Sequence, residues 1–211
     1  VTTASLLERA RPSRSARWVV VEAADGYHES FPIDALRSLE PMIAFGMDGL
    51  TLPRRHGFPA RLLIPGRYGI KNVKWLTRFT LADEPEPGYW VKRGWDPEAL
   101  VETESRIDTP VDHATVTSPL TVAGLAWAGA RGIQRVEVST DDGATWEKAE
   151  LEPEVDPLGW RRWRLLATLA PGTYPVTVRA TDRTGRTQVE RRRPAHPSGA
   201  TGRHRVVVTV R

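Results

Sequence analysis

Hydrophobic positions fall mostly in short runs, and helical periodicity is scarce. RWVVVEA (17–23) is apolar and β-branched and stops at Asp25-Gly26, a pair that favours a tight turn. MIAFGM (42–47) and ARLLIP (60–65) predict two buried strands, bounded by Asp48-Gly49 and Pro65-Gly66. Val73 to Leu81 alternates and predicts another. Helical expectations are few: a short N-terminal helix with Thr3 or Ser5 as cap, and one turn over Pro32–Leu36. No strand–helix–strand unit repeats, which argues against a doubly wound parallel sheet.

The pattern changes after residue 82. DEPEPGYW and the prolines beyond it read as a linker over 83–112, pinned by Tyr89, Trp90 and Trp95. From 113 onward, strand patterns recur with turn signals between them: LTVAGLAWA (120–128), IQRVEVSTDDG (133–143), TWEKAEL (145–151), WRRWRLLATL (160–169), YPVTVRATD (174–182) and RHRVVVTV (203–210). Asp142-Gly143 closes a hairpin. About seven short strands in about 100 residues is the pattern of an immunoglobulin-like sandwich, here without a cysteine pair.

Composition narrows the chemistry. The chain has 211 residues and no cysteine, so it carries no disulfide, no cysteine-ligated zinc, no iron–sulfur cluster and no thiol nucleophile of its own. No apolar run approaches the roughly 18 residues of a membrane span, and the first residues lack the core of a secretory signal. The compartment of a parent protein stays open, an extracytoplasmic or membrane-tethered one included. The net charge of +4 lies wholly in residues 1–95, with 14 basic against 10 acidic residues; 96–211 balance at 16 each. Arg54 to Arg78 holds seven basic residues and no acid, which concentrates anions locally. These charges alternate with Gly, Pro and apolar residues and form no nucleic-acid motif, so nucleic acid is not expected as a partner.

The stretch DGYHESFP, followed by AFGMDGLTLPRRHGFPARLLIPGRYGIKNVKWL, closely resembles the C-terminal part of the molybdenum-cofactor domain of the sulfite oxidase family. GIQRVEVSTDDGATWEKAEL and the closing ATGRHRVVVTV resemble that family's dimerisation domain, which SRIDTP (105–110) would open. Within the family the chain looks most like bacterial sulfite-oxidase-like oxidoreductases. The resemblance implies a mainly β chain with some α: part of an α+β cofactor domain over 1–95, then an Ig-like β-sandwich over 96–211. One departure is Arg203, where the family commonly has Trp before the last His.

A molybdopterin presents a pterin, a dithiolene and a terminal phosphate or nucleotide. Arginine offers phosphate a planar fork, lysine a point charge, and glycine close backbone approach. The resemblance implies that His56, Arg61 and Asn72-Val73-Lys74 bind this cofactor, with Lys71 in the same loop. It also implies that Tyr27 faces the metal and positions an oxyanion, where a phenol can donate a hydrogen bond. A further cation is expected from the second domain; Arg164 is the candidate, with Arg162 on the same strand face. Arg54, Arg55 and Arg191–Arg193 read as solvated charges, and Phe58 and Trp75 as core. No metal-ligating residue is expected in the chain, because the family's thiolate ligand has no counterpart here.

The leading expectation is the C-terminal portion of a molybdopterin-dependent oxidoreductase, with oxygen-atom transfer to sulfite or a similar oxyanion in the intact protein. The chain alone is expected to be inactive without the cysteine-bearing half of the cofactor domain. A homodimer through the second domain, an oxyanion substrate and an unspecified electron acceptor are the implied partners. The alternative is a non-catalytic dimerisation or interaction module with a degenerate cofactor domain.

Overall fold

The computed structural model describes residues 1–38 and 41–211. The chain divides into two units, Val1–Leu100 with His196–Ser198, and Val101–Ala195 with Gly199–Arg211.

Unit 1 holds α1 (Thr3–Ala10), β1 (Trp18–Ala23), β2 (His28–Pro32), α2 (Ala35–Ser38), β3 (Met42–Ala44), β4 (Gly46–Met47), β5 (Leu50–Thr51), β6 (Arg61–Leu63) and β7 (Leu76–Ala82). An antiparallel sheet runs β2-β1-β7, beside the two-stranded ribbons β3-β6 and β4-β5. Val19 and Val21 of β1 pack with Phe31, Leu36, Leu62 and Val73 into one core. Burying each such side chain is worth about 1.5–3 kcal/mol before entropy is counted. The cap of α1 is Thr2, whose hydroxyl accepts from Ser5 N–H. Thr3, expected as a cap, instead turns inward and donates to the carbonyls of Leu36 and Pro41.

The run 42–47 also departs from expectation. It divides into β3 and β4, and Met42, Phe45 and Met47 are exposed. Each piece pairs within a two-stranded ribbon. Such a ribbon offers only one neighbour per strand, so apolar side chains there lack a covering layer. Past β7 the strap is pinned as its aromatics suggest. Tyr89, Trp90, Trp95 and His196 form a chain of edge-on ring contacts at 5.0, 5.9 and 5.4 Å between centroids.

Unit 2 is a two-sheet sandwich. Its strands are β8 (Glu104–Thr109), β9 (Thr115–Val116), β10 (Leu120–Trp127), β11 (Ile133–Ser139), β12 (Glu147–Lys148), β13 (Glu150–Leu151), β14 (Arg161–Ala167), β15 (Gly172–Asp182) and β16 (Arg205–Val210). One sheet runs β13-β14-β10-β8 and the other β12-β11-β15-β16-β9. The core between them holds Val122, Val136, Val138, Trp163, Leu165, Val176, Val178 and Val208. The segment 145–151, expected as one strand, crosses between sheets. β12 pairs with β11 and β13 with β14, with buried Ala149 as the pivot.

Asp182 at the end of β15 ties the start of this unit to its middle. Its carboxylate accepts from Thr103 Oγ1, Arg131 Nε, Thr184 Oγ1 and the N–H groups of Thr184 and Arg186. Burial opposes the charge, but these donors overcome it and hold the carboxyl at about 2, below the ordinary 3.8. A carboxyl with a depressed folded pKa stabilises above its unfolded pKa. That contribution is expected to be lost as pH falls from about 4 to about 2. Acid unfolding followed by circular dichroism checks this: Asp182→Asn should lower stability at neutral pH and flatten its loss over that interval.

Candidate functional site

The HGFPAR segment makes a short 3-10 turn, Arg54–His56, closed by Gly57 at φ 114°. Three side chains from distant positions grip its carbonyls. Arg61 NH1 donates to His56 O at 3.1 Å, Lys74 Nζ to Arg55 O at 3.2 Å and Trp75 Nε1 to Arg54 O at 2.9 Å. Gly57 sits where these groups meet. A Cβ there would lie 3.0 Å from Arg61 Cβ and 3.1 Å from Lys74 Cβ, in a backbone conformation that L residues rarely adopt. The fold thus brings His56, Arg61 and Lys74 together around Gly57.

Arg61 is the informative member. Burial lowers its pKa, and its Nε is buried with no hydrogen-bond partner among the described residues. An unpartnered buried donor costs roughly 1–3 kcal/mol unless a ligand supplies an acceptor. Nitrogens of Arg67, Arg161 and Arg203 are likewise unpartnered; Arg61 is set apart by its place against Gly57 and Lys74 in the acid-free segment. Beside Arg61 lie Arg54, Arg55 and Lys74 in a segment without acids. Guanidinium, ammonium, imidazole and backbone N–H are the donor set for a phosphate and a polar heterocycle, so these residues fit the pterin-phosphate part of such a cofactor.

The rest of the KNVK segment acts through the backbone and the interior. Asn72 Oδ1 accepts from Ile64 N–H at 2.7 Å, and Nδ2 donates to the carbonyls of Arg67 and Tyr68. This staples the 64–72 loop. Val73 is buried in the core. Lys71 stands apart from the cationic group. Its side chain is 2% exposed, and its Nζ lies 2.5 Å from Glu29 Oε2, a carboxylate with no exposed surface. Its charge is matched inside the fold.

Tyr27 lines a cleft of about 290 Å³ with Asp25, Ile70, Lys74, Trp75 and Trp90. The Asp25 carboxylate accepts from Tyr27 N–H at 3.1 Å and shapes the turn. Tyr27 Oη lies 2.6 Å from Ile70 O and 3.0 Å from Glu29 Oε1. Burial, and then the Glu29 charge, push the phenol well above its ordinary pKa, so it stays protonated. Phe58, expected in the core, is 47% exposed at the tip of the HGFP turn, and Trp75 is half-buried.

Arg164 lies on β14 of unit 2, exposed and paired with Glu150 through Nε at 3.0 Å and NH2 at 3.2 Å. Glu150 raises its pKa further. Arg162 shares its face, as alternation along the strand requires. The sequence reading passed over Glu29 and Gly57, and gave Trp90 only as a pin of the linker where it also lines the Tyr27 cleft. For Glu29 a signal existed: it is in phase with Phe31 on β2, so an inward Phe implies an inward carboxylate.

Comparisons with known proteins bear on both units. Residues 1–90 match the family model described as an oxidoreductase molybdopterin binding domain, and residues 98–200 match a Mo-co oxidoreductase dimerisation domain. The mitochondrial sulfite oxidase of Mus musculus is 36% identical over 168 residues, 67% of this chain and 30% of that protein. The Homo sapiens protein of the same name is 35% identical over 179 residues, 72% of this chain and 32% of its own length. The chain therefore spans about a third of these relatives. The crystal structure of the sulfane dehydrogenase SoxCD from Paracoccus pantotrophus superimposes with a TM-score of 0.75 at 28% identity, over 89% of this chain and 52% of that one. Among the described residues no helix is long and apolar enough to cross a membrane.

Proposed function

Because the chain belongs to the sulfite oxidase family of molybdopterin-dependent oxidoreductases, we propose that it supplies part of a molybdopterin site to an enzyme that transfers an oxygen atom to sulfite or a similar small oxyanion. The observation that carries this reading is Arg61, a half-buried guanidinium whose inaccessible Nε is unsatisfied, within an acid-free segment.

When bound, the molybdenum group supplies the oxygen-atom transfer and the accompanying two-electron change. Arg61 and Lys74 hold the anionic end of the cofactor, and His56 holds a polar edge of it. Asn72 keeps the 64–72 loop in shape while the backbone at Val73 presents that loop to the pterin. Lys71 contributes by fixing Glu29 behind the site. Tyr27 lines the cleft proposed for the substrate; its own proton is engaged by Ile70 O and Glu29, so toward the cleft it offers an acceptor for a water or hydroxyl there. Arg164, exposed on β14 and paired with Glu150, remains the candidate further cation for an oxyanion in the intact protein. The sandwich is read as Ig-like from its two sheets, and as the homodimerising part of the intact enzyme, a reading supported by the dimerisation-domain match; the bacterial reading rests on the sequence resemblance.

Arg61→Met in the intact enzyme tests the reading. A charge-assisted hydrogen bond is worth about 1.5–3 kcal/mol, so cofactor retention should weaken by roughly 10- to 150-fold. Molybdenum content after desalting, with the unfolding midpoint as control, measures it. Full retention would remove Arg61 from the cofactor site, whereas no molybdenum in the wild type either would favour the degenerate, non-catalytic module.

A further inference from the structure

Two clefts of unit 1 meet at one pair of side chains. Tyr27 lines the cleft of about 290 Å³ described above. Glu29 lines a second, of about 260 Å³, together with Lys71, Arg67, Glu98 and the strap residues Glu86 and Gly88. Gly88 lies directly over the carboxylate, where any Cβ would overlap Glu29 Oε1. Glu29 is otherwise enclosed, with Lys71 Nζ on Oε2 and Tyr27 Oη on Oε1.

Proton counting makes this arrangement unusual. A phenol has one proton to donate, yet Tyr27 Oη faces two acceptors, the Ile70 carbonyl at 2.6 Å and the Glu29 carboxylate at 3.0 Å. With Glu29 ionised, three oxygens share one proton. With Glu29 protonated, its O–H donates to Tyr27 Oη and Tyr27 donates to Ile70 O, and each contact has its own proton. The cluster thus has a place for one more proton. Lys71 Nζ lies on the other oxygen of the carboxylate, leaving Oε1 for that proton.

We propose that Tyr27 and Glu29 form a proton relay, in which a proton released in the Tyr27 cleft is taken up by Glu29 and leaves through the second cleft. This rests on the reading of the Tyr27 cleft as the substrate site. A hydroxyl or water in that cleft gives a proton to a lone pair of Tyr27 Oη. The O–H bond of Tyr27 breaks as its own proton passes to Glu29 Oε1. The phenol is neutral before and after, Glu29 changes from carboxylate to acid, and Lys71 keeps its charge. Glu29 has no exposed surface of its own, so the proton leaves toward the second cleft when the strap at Gly88 above it opens. Oxidation of an oxyanion with an oxygen atom from water releases protons, so such a path has a task. Asp25 faces Tyr27 from the preceding turn; Lys71 faces Glu29; Arg67, Glu86 and Glu98 line the exit, and His28 lies 3.5 Å from Glu86. In this arrangement Tyr27 turns its proton inward and offers the cleft an acceptor, where the motif implied a donor.

The test uses the intact holoenzyme. Glu29→Gln alone would strand a buried ammonium, so the measured variant is Glu29→Gln with Lys71→Met, beside Tyr27→Phe. The double variant is expected to fold, to keep KM, to lose kcat by about a hundredfold as general acid–base groups do, and to show an enlarged solvent deuterium isotope effect. A second readout is independent of turnover. Ultraviolet titration of tyrosine, as the difference from Tyr27→Phe, should place the Tyr27 ionisation at lower pH once Glu29 is neutral. Unchanged kcat, isotope effect and titration in the double variant, with Tyr27→Phe impaired, would overturn the relay and leave the site reading standing. Unimpaired Tyr27→Phe would overturn both.

Discussion

Lys71→Met in the intact protein is expected to lower the stability of unit 1 by about 3–5 kcal/mol, the usual consequence of removing one partner from a buried ion pair. Both members of the pair are enclosed: Lys71 is 2% exposed, the Glu29 side chain 0%, and Nζ also sits 5.3 Å from the centroid of Phe31. The substitution leaves a carboxylate under Gly88 with Tyr27 as its remaining donor. Adding Glu29→Gln should recover most of the loss, because the penalty is an uncompensated charge and a neutral pair carries none. Denaturant unfolding of the wild type, the single variant and the double variant measures this. A single variant as stable as the wild type would place Lys71 in a ligand-binding role after all, since a cation held for a ligand can be removed without stranding a partner.

That pair also marks the limit of what the sequence discloses. Local patterns carried far: the alternation in WRRWRLLA puts Trp163, Leu165 and Ala167 inside and Arg162, Arg164 and Leu166 outside. The RWVVVEA strand lies where its residues suggested. What failed needed knowledge of neighbours. Segment 145–151 alternates like one strand, but its two ends bond to different sheets. The apolar run 42–47 carries no sign that its partners form only narrow ribbons. The same holds for the site. The proximity of His56, Arg61 and Lys74 was legible because one contiguous motif supplies all three. Glu29 and Lys71 lie 42 positions apart, and only the fold turns a charge in the acid-free segment inward.

Trp163→Ala is expected to cost unit 2 about 3–5 kcal/mol, the range for emptying a buried aromatic site. Trp163 is 1% exposed at the centre of the sandwich. Its seat is prepared from the next strand by Gly124: a Cβ there would lie 3.0 Å from Trp163 Cζ2 and would overlap the Arg106 carbonyl on β8. β10 thus gives up a side chain so that the indole and a neighbouring backbone can both approach. The indole N–H is buried with no partner among the described residues, and that opposes its own packing gain. Trp163→Phe should therefore lose much less than Trp163→Ala, because it removes the unsatisfied donor along with part of the volume. Gly124→Ala should resemble Trp163→Ala in severity, since backbone rather than a flexible side chain must yield. Thermal unfolding of the three variants in the intact protein orders them, and a Trp163→Phe loss equal to that of Trp163→Ala would mean that the indole N–H is satisfied.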